Sequence, residues 1–557
     1  MRKKWVLAVV LVAVASVAVV FCCSSKFLQG LYGVYKIRAH VRALYGENKE
    51  ITDGNYDKSL AVKCINGTFV GKKTGSTIVF RGIPYVGRQP VGDLRWKAPV
   101  DIAPDDGVYE AYYNAKSAFQ PMAEASSLYY QGEDCLCLNV WKPDEATGEK
   151  KPVIVWVHGG ANEFGGTVDP LYDFQNFVEE NPDVVVVSIA YRLGVFGFLH
   201  LSHLPDGKDY PDAQNLGLMD QLMALKWVHE NISGFGGDPG NVTIWGESAG
   251  GASVTLLALA EGSHRYFNKV ISLSATPALT RSTEQSVAST DELLEALGCT
   301  TVADLKKVDV DRLLDTASEL LALRTAPERD GTFLPRNPFE AIANGATKDL
   351  AFLHGCNKDE MNFFLVGLGG PKPFVEWATD RKAKLLARMT DEEKAKVESF
   401  CGDIKGESYE PYTRLFGQIM FNAPTIRLSE CQAAAGGKSY TYYFTPESSV
   451  PLMKSAHGVE LPALFKHPDM DADTGRAFDE TFSKTLRKMW VQFAKTGNPS
   501  LSADISPDGK AKEWPLYDQK GRKVMVLDES AIHPARESEL KITDWNRTYF
   551  LTKYYAF

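Results

Sequence analysis

An α/β fold, built on a large and mostly parallel central sheet covered by helices on both faces, is what this chain of 557 residues predicts. Three observations point there. Short apolar runs rich in β-branched residues recur at 153–157, 184–190, 242–245, 269–273, 350–353 and 440–444. Several are followed by helical stretches, the clearest being 215–231, where Leu218, Leu222, Leu225 and Val228 fall on one face. Strands that are apolar throughout and alternate with helices bury both faces, as parallel sheets do. The third observation is charged helical sequence between 283 and 348 and between 371 and 402, such as Asp391-Glu392-Glu393-Lys394-Ala395-Lys396. These stretches interrupt the alternation and are expected to form helical insertions over the sheet.

Composition sets the outer bounds. With 44% hydrophobic residues, 24% charged residues and 28 scattered prolines, the chain is neither disordered, collagenous nor multi-spanning. Seventy acidic residues against 61 basic ones, and no extended basic block, exclude a nucleic-acid partner. The N-terminus departs from this average: Arg2, Lys3 and Lys4 precede an unbroken apolar run from 5 to 23. Such a helix reaches about 28 Å, close to the hydrocarbon thickness of a bilayer. It reads as an uncleaved signal anchor, with cleavage after Ala15 or Ala18 as the alternative. The chain thus divides into a signal anchor or signal peptide (1–25), a stalk or linker (26–57) and one large domain (58–557). The body is expected outside the cytoplasm, touching the membrane only through the apolar segment. Of nine cysteines, Cys22 and Cys23 lie in that segment. The other seven lack metal-site spacing and read as buried thiols.

The most specific motif is Gly246-Glu247-Ser248-Ala249-Gly250. It follows Val242-Thr243-Ile244-Trp245 and precedes an apolar run from 252 to 260, so the serine would stand on a strained turn between strand and helix. Crowding at such a turn demands residues without side chains two positions either side of the serine. A serine hydroxyl is a poor nucleophile at neutral pH and needs a base to take its proton and an acid to hold that base.

In folds that start from this elbow the chain order is serine, acid, histidine, which leaves His264, His354, His457, His467 and His533. His264 lies too close to the helix after the elbow, His354 is inside or at the end of the strand at 350–353, and His533 is in a polar tail. His457 sits in the small-residue loop Ser455-Ala456-His457-Gly458-Val459-Glu460 after the strand at 440–444, where an imidazole can approach the serine. For the acid, Asp359 and Glu360 both qualify by position, following the strand at 350–353. Taken alone, that loop would pass for a solvated turn. The strand at 153–157 runs into His158-Gly159-Gly160-Ala161, and the backbone amides of Gly160 and Ala161, with that of Ala249, would form a three-donor oxyanion hole. A phosphate loop is the alternative, but no Gly-Lys-Ser/Thr follows and Glu163 would stand beside the phosphate.

Together these residues resemble the type B carboxylesterase and cholinesterase family of α/β-hydrolases, from about Val62 to the C-terminus. The resemblance is carried by Phe80 to Tyr85, Leu94-Arg95-Trp96, Glu133 to Trp141, the His158 loop, Tyr191 to Phe198, Asn215 to Gln221, Phe235 to Pro239 and Gly246 to Gly251. His457 to Pro462, Thr496 to Pro499 and Trp514 to Tyr517 continue it. It implies the α/β-hydrolase fold, Glu360 rather than Asp359 as the acid, the oxyanion donors named above, and buried ion pairs of Arg95 with Glu133 and Arg192 with Asp220. This sequence departs from the family at Met361, which replaces a glycine, and at Asn162, which replaces an aromatic residue lining the site; both mark the pocket as unusual. Cys135 lacks its usual upstream partner, because Ala118-Phe119-Gln120 occupies that place. Residues 126–132 contain Tyr129 and Tyr130 but no tryptophan to cradle a quaternary ammonium, against choline esters.

The function expected is a serine carboxylic ester hydrolase acting on small or medium esters through an acyl-enzyme, with no metal or cofactor. Two readings stand beside it. One is a catalytically silent extracellular recognition or adhesion module on the same fold, which would be expected to have lost members of the triad. The other keeps the mechanism but cleaves amides, carbamates or thioesters.

Overall fold

Eleven strands form one sheet: β1 (Lys72–Thr74), β2 (Thr77–Pro84), β3 (Cys137–Pro143), β4 (Lys151–Val157), β5 (Val185–Ile189), β6 (Gly237–Glu247), β7 (Lys269–Leu273), β8 (Ala351–Asn357), β9 (Lys438–Phe444), β10 (Lys523–Leu527) and β11 (Ile532–Arg536). Their order across the sheet is β11-β10-β9-β8-β7-β6-β4-β5-β3-β2-β1. The six pairings from β10 to β5 are parallel and the four at the two edges antiparallel. This computed structural model describes residues 39, 41–121, 129–145, 148–321, 324–402, 408–467, 474–540 and 542. The expected anchor (1–25) and the first part of the expected stalk lie outside them. Among the described residues no helix is long and apolar enough to cross a membrane. Residues 41–57 run against the body: Tyr45 shares a hydrogen bond with Ser117 (3.2 Å), and Asn48 Nδ2 donates to the carbonyls of Arg81 and Tyr113.

Alternation along the central strands divides their side chains between two cores. Val153, Val155 and Val157 join Val185, Val187, Val242, Ile244 and Val270 on one face, while Ile154 and Trp156 join Val186, Trp245, Ile271 and Leu353 on the other. The first face is covered by helices α1 (Leu216–Asn231) and α2 (Ala249–Leu257). Insertions follow in α3 (Thr283–Leu297), α4 (Pro371–Leu386) and α5 (Glu410–Gly417). Helix α6 (Ala423–Ala434) returns to the first face, and α7 (Glu480–Thr496) covers the second with Leu486, Met489, Trp490 and Phe493. Local sequence sets the helix ends: Ser282 and Gln285 form a capping box at the start of α3, and Gly298 ends it in the left-handed region.

Strands at both edges escape the sequence pattern for physical reasons. β1 is three exposed residues, and its two lysines guard an open edge; β11 carries Pro534, which an edge strand tolerates. β6 begins at Gly237, five residues earlier than the apolar run, because Asp238-Pro239-Gly240 reads as a turn. β8 extends to Asn357, so the loop bearing the acid starts only at Lys358. Both ion pairs implied by the resemblance form. Arg192 Nη2 lies 2.6 Å from Asp220 Oδ1 with both groups buried, and Arg95 Nε lies 2.5 Å from Glu133 Oε1. The seven described cysteines are free and buried.

Candidate active site

Ser248 stands between β6 and α2 with φ 55° and ψ −126°, a strained backbone for a residue with a side chain. The flanking glycines are required by space. A Cβ on Gly246 would lie 2.3 Å from the carbonyl oxygen of Gly250, and one on Gly250 would lie 2.1 Å from that of Val157. The turn therefore packs backbone against backbone, and it is pinned by the Ser248 amide donating to the Leu273 carbonyl at 3.0 Å.

His457 is buried and its Nδ1 donates to Glu360 Oε2 at 2.6 Å. The other carboxyl oxygen of Glu360 accepts from the Asn357 amide at 2.7 Å, which fixes the carboxylate against β8. Asp359, the positional alternative, turns away, and its amide donates to the Ser455 carbonyl. On the far side of the imidazole, Nε2 lies 3.1 Å from Glu247 Oε1, at ion-pair distance. Since Glu247 immediately precedes Ser248, the elbow and the imidazole meet at this point. Phe421, Phe364 and Phe363 pack their rings around His457, with centroids 4.9, 5.9 and 5.9 Å away.

The remaining histidines are held elsewhere. His354 sits inside β8 against Ser439 Oγ (2.9 Å), and burial lowers its pKa to about 3. His264 contacts the Ala258 carbonyl, the His467 amide donates to the Pro462 carbonyl, and His533 is exposed on β11.

Sequence reasoning missed two carboxylates. Glu247 lies within the elbow motif, and Glu460 lies three residues after His457, its Oε2 accepting from Asn357 Nδ2 at 2.5 Å. Their buried positions were the missing signal, since local sequence cannot show which charges the fold buries together. Burial raises Glu247 to about 7, with the His457 charge opposing and Glu360 reinforcing. Burial also raises Glu460, to about 8, helped by the charges of Glu247 and Glu360. For His457, burial alone would lower the pKa, but the charges of Glu247 and Glu360 and the hydrogen bond to Glu360 outweigh it and push it up to about 9.

Opposite the serine, Gly160, Ala161 and Asn162 all have positive φ (103°, 56° and 58°). The loop is closed by the amides of Glu163 and Phe164, which both donate to the Gly160 carbonyl at 2.9 Å. Among the described residues, nothing accepts a hydrogen bond from the amides of Gly160, Ala161 or Ala249, the first residue of α2. A cavity of about 580 Å³ opens over Ser248, Ala249, Ala161 and Asn162, of a size that takes a small organic molecule. Asn162 replaces an aromatic wall by a buried amide whose Oδ1 has no donor among the described residues. Met361 corrects the expectation of an altered pocket at that position: it does not line the cavity but packs with Cys356, Leu365 and Phe421 in the core beneath the insertions. Three consecutive residues, Ile419, Met420 and Phe421, do line it. They belong to a π-helical turn, Gln418–Asn422, where the Ala423 amide reaches back to the Gln418 carbonyl and Pro424 has no N–H to restore the α pattern.

A strained serine elbow on a parallel sheet, whose Glu247 meets an imidazole held by a buried carboxylate, beside a loop of free amides, is the equipment of a serine hydrolase of the α/β-hydrolase class. The chain belongs to the carboxylesterase family, whose profile matches residues 58–543. It is 35% identical over 497 residues to the para-nitrobenzyl esterase of Bacillus subtilis, covering 85% of this chain and 96% of that protein. It is 31% identical to the liver carboxylesterase of Sus scrofa, covering 79% of this chain and 84% of that one. The crystal structure of a Geobacillus stearothermophilus carboxylesterase superposes with a TM-score of 0.75 at 31% identity, over 88% of this chain and 99% of that one. The protein is a carboxylic ester hydrolase.

Proposed function

We propose that hydrolysis runs through an acyl-enzyme on Ser248, with His457 as base, Glu360 as its carboxylate partner and the amides of Gly160, Ala161 and Ala249 as oxyanion donors. The observation that carries this reading is the 2.6 Å hydrogen bond from His457 Nδ1 to Glu360 Oε2, which leaves Nε2 as the proton acceptor on the side of the elbow. His457 takes the Ser248 proton as Oγ attacks the ester carbonyl, and the free amides receive the negative charge on the carbonyl oxygen. The proton then goes to the departing alcohol. Water enters, gives its proton to His457, and attack on the acyl group releases the carboxylic acid and restores Ser248. The 580 Å³ cavity suits small or medium esters.

Ser248→Ala is expected to lower kcat on a short-chain nitrophenyl ester by about a thousandfold or more. It is also expected to abolish covalent labelling by a fluorophosphonate. An unchanged rate would sink the assignment. The basic residues Arg2 to Lys4 and the apolar run from 5 to 23 support a further part of the reading, that residues 1–25 export or anchor the body outside the cytoplasm. Protease added to intact cells should remove the esterase activity or find it in the medium; activity confined to the protected interior overturns that placement.

A further inference from the structure

The wall of the cavity above Ser248 is cationic. Five of its lining side chains, Arg281, Arg324, Arg381, Lys384 and Arg388, are basic and one, Glu292, is acidic, in a chain whose net charge is −9. Three of the five come from one stretch. Arg381 and Lys384 lie on α4 and Arg388 just past its end, at helical spacing that sets them in one row toward the cavity, with Trp377 a turn earlier.

The basic groups differ in what holds them. Arg324 is neutralised by Glu292, 2.9 Å from Nη1, and also donates to Ser289 Oγ. Arg281 donates to the carbonyls of Ala326 and Phe198. Lys384 pairs with Asp380 at 2.8 Å. Arg381 lies over the Trp377 ring, 5.3 Å from its centroid, and makes no hydrogen bond or ion pair among the described residues. Desolvation and the neighbouring charge of Arg324 lower its pKa, while the charges of Asp380 and Glu163 oppose them. A half-buried guanidinium with no ion-pair partner among the described residues offers a ligand anion an open charge-assisted contact. Its planar fork, resting over an aromatic ring, is of the kind that binds a carboxylate bidentately.

We propose that this cavity selects esters carrying a second group that is a carboxylate, which Arg381 binds while the ester carbonyl lies at Ser248. The inference rests on the ester-hydrolase mechanism above and adds the substrate class to it. The neighbouring cations raise the local concentration of such anions, so the preference is electrostatic in part and weakens in salt.

The test compares kcat/KM for mono-4-nitrophenyl esters of dicarboxylic acids of four to eight carbons with neutral 4-nitrophenyl esters of the same length, and acetyl esters of 3- and 4-hydroxybenzoate with phenyl acetate. At least one charged ester is expected to exceed its neutral match by about tenfold, the size of one well-placed charge-assisted contact. That ratio is expected to fall about tenfold in Arg381→Gln, to be partly kept in Arg381→Lys, and to shrink between 20 mM and 500 mM salt, the salt levels being on the order needed to change screening. Hydrolysis of the neutral esters with no charged ester preferred, or a ratio unchanged in Arg381→Gln, overturns the proposal and leaves the esterase mechanism standing. If Arg381→Gln does not fold, Arg381→Lys and the salt dependence of the wild type decide. Failure to hydrolyse any of the esters overturns the esterase mechanism itself.

Discussion

The buried carboxylates near His457 and the cationic wall of the cavity over Ser248 handle charge in opposite ways. Glu247 and Glu360 flank the imidazole of His457 and Glu460 accepts from Asn357, so each carboxylate finds a donor or a counter-charge within the protein. On the wall, guanidinium groups repel one another, and half-buried Arg381 has an aromatic face beneath it and feels the charges of Asp380 and Glu163, but makes no ion pair among the described residues. The proposed base is thus oriented before substrate arrives, as proton transfer requires. The wall keeps a guanidinium open to a ligand carboxylate, so the specificity proposed for it would come from an interaction that forms on binding.

The carboxylate side of this comparison breaks most severely at Glu360. Glu360→Gln keeps the shape but removes the charge that holds the imidazolium and sets its tautomer. Activity on a nitrophenyl ester is expected to drop by about a hundredfold or more. A drop smaller than threefold would mean that another carboxylate orients His457. The smaller effect belongs to Glu247. His457 must be neutral to accept a proton, so kcat/KM rises as pH passes upward through its pKa, which the surrounding carboxylates push up to about 9. Removing one of those negative charges in Glu247→Gln lowers that pKa, so the rise is expected at lower pH than in the wild type. The change at the optimum is a few-fold, on the order expected for a group that positions rather than reacts. A limb that stays in place, or moves to higher pH, refutes the coupling between Glu247 and His457.

Legibility in the sequence followed the range over which each feature is determined. The elbow was readable because strand, strained turn, glycines and helix are consecutive, and steric exclusion at Gly246 and Gly250 acts between atoms of that one segment and its neighbouring strand. The central strands were readable because burial on both faces makes them apolar throughout. The choice between Asp359 and Glu360 was not settled by position. It depends on which carboxyl reaches an imidazole 97 residues further along the chain, and local sequence carries no record of that. Glu247 and Glu460 stood inside motifs already singled out, yet nothing local distinguished a buried carboxylate from a solvated one.

The sequence by itself therefore carried the fold class, the elbow around Ser248 and the glycine loop, each through short-range sterics or a pattern within a few tens of residues. The proposed histidine and the ester-cleaving chemistry were legible through the order of motifs along the whole domain and the family they resemble. Only the tertiary structure decided that Glu247 and Glu360 flank one imidazole with Glu460 buried nearby, that Met361 belongs to the core while Asn162 faces the cavity, and that Arg281, Arg324 and Arg381 converge on one wall. Charges separated by tens to hundreds of residues interact only once the chain is folded and water is excluded between them, because their energies depend on distance and burial rather than on order along the chain.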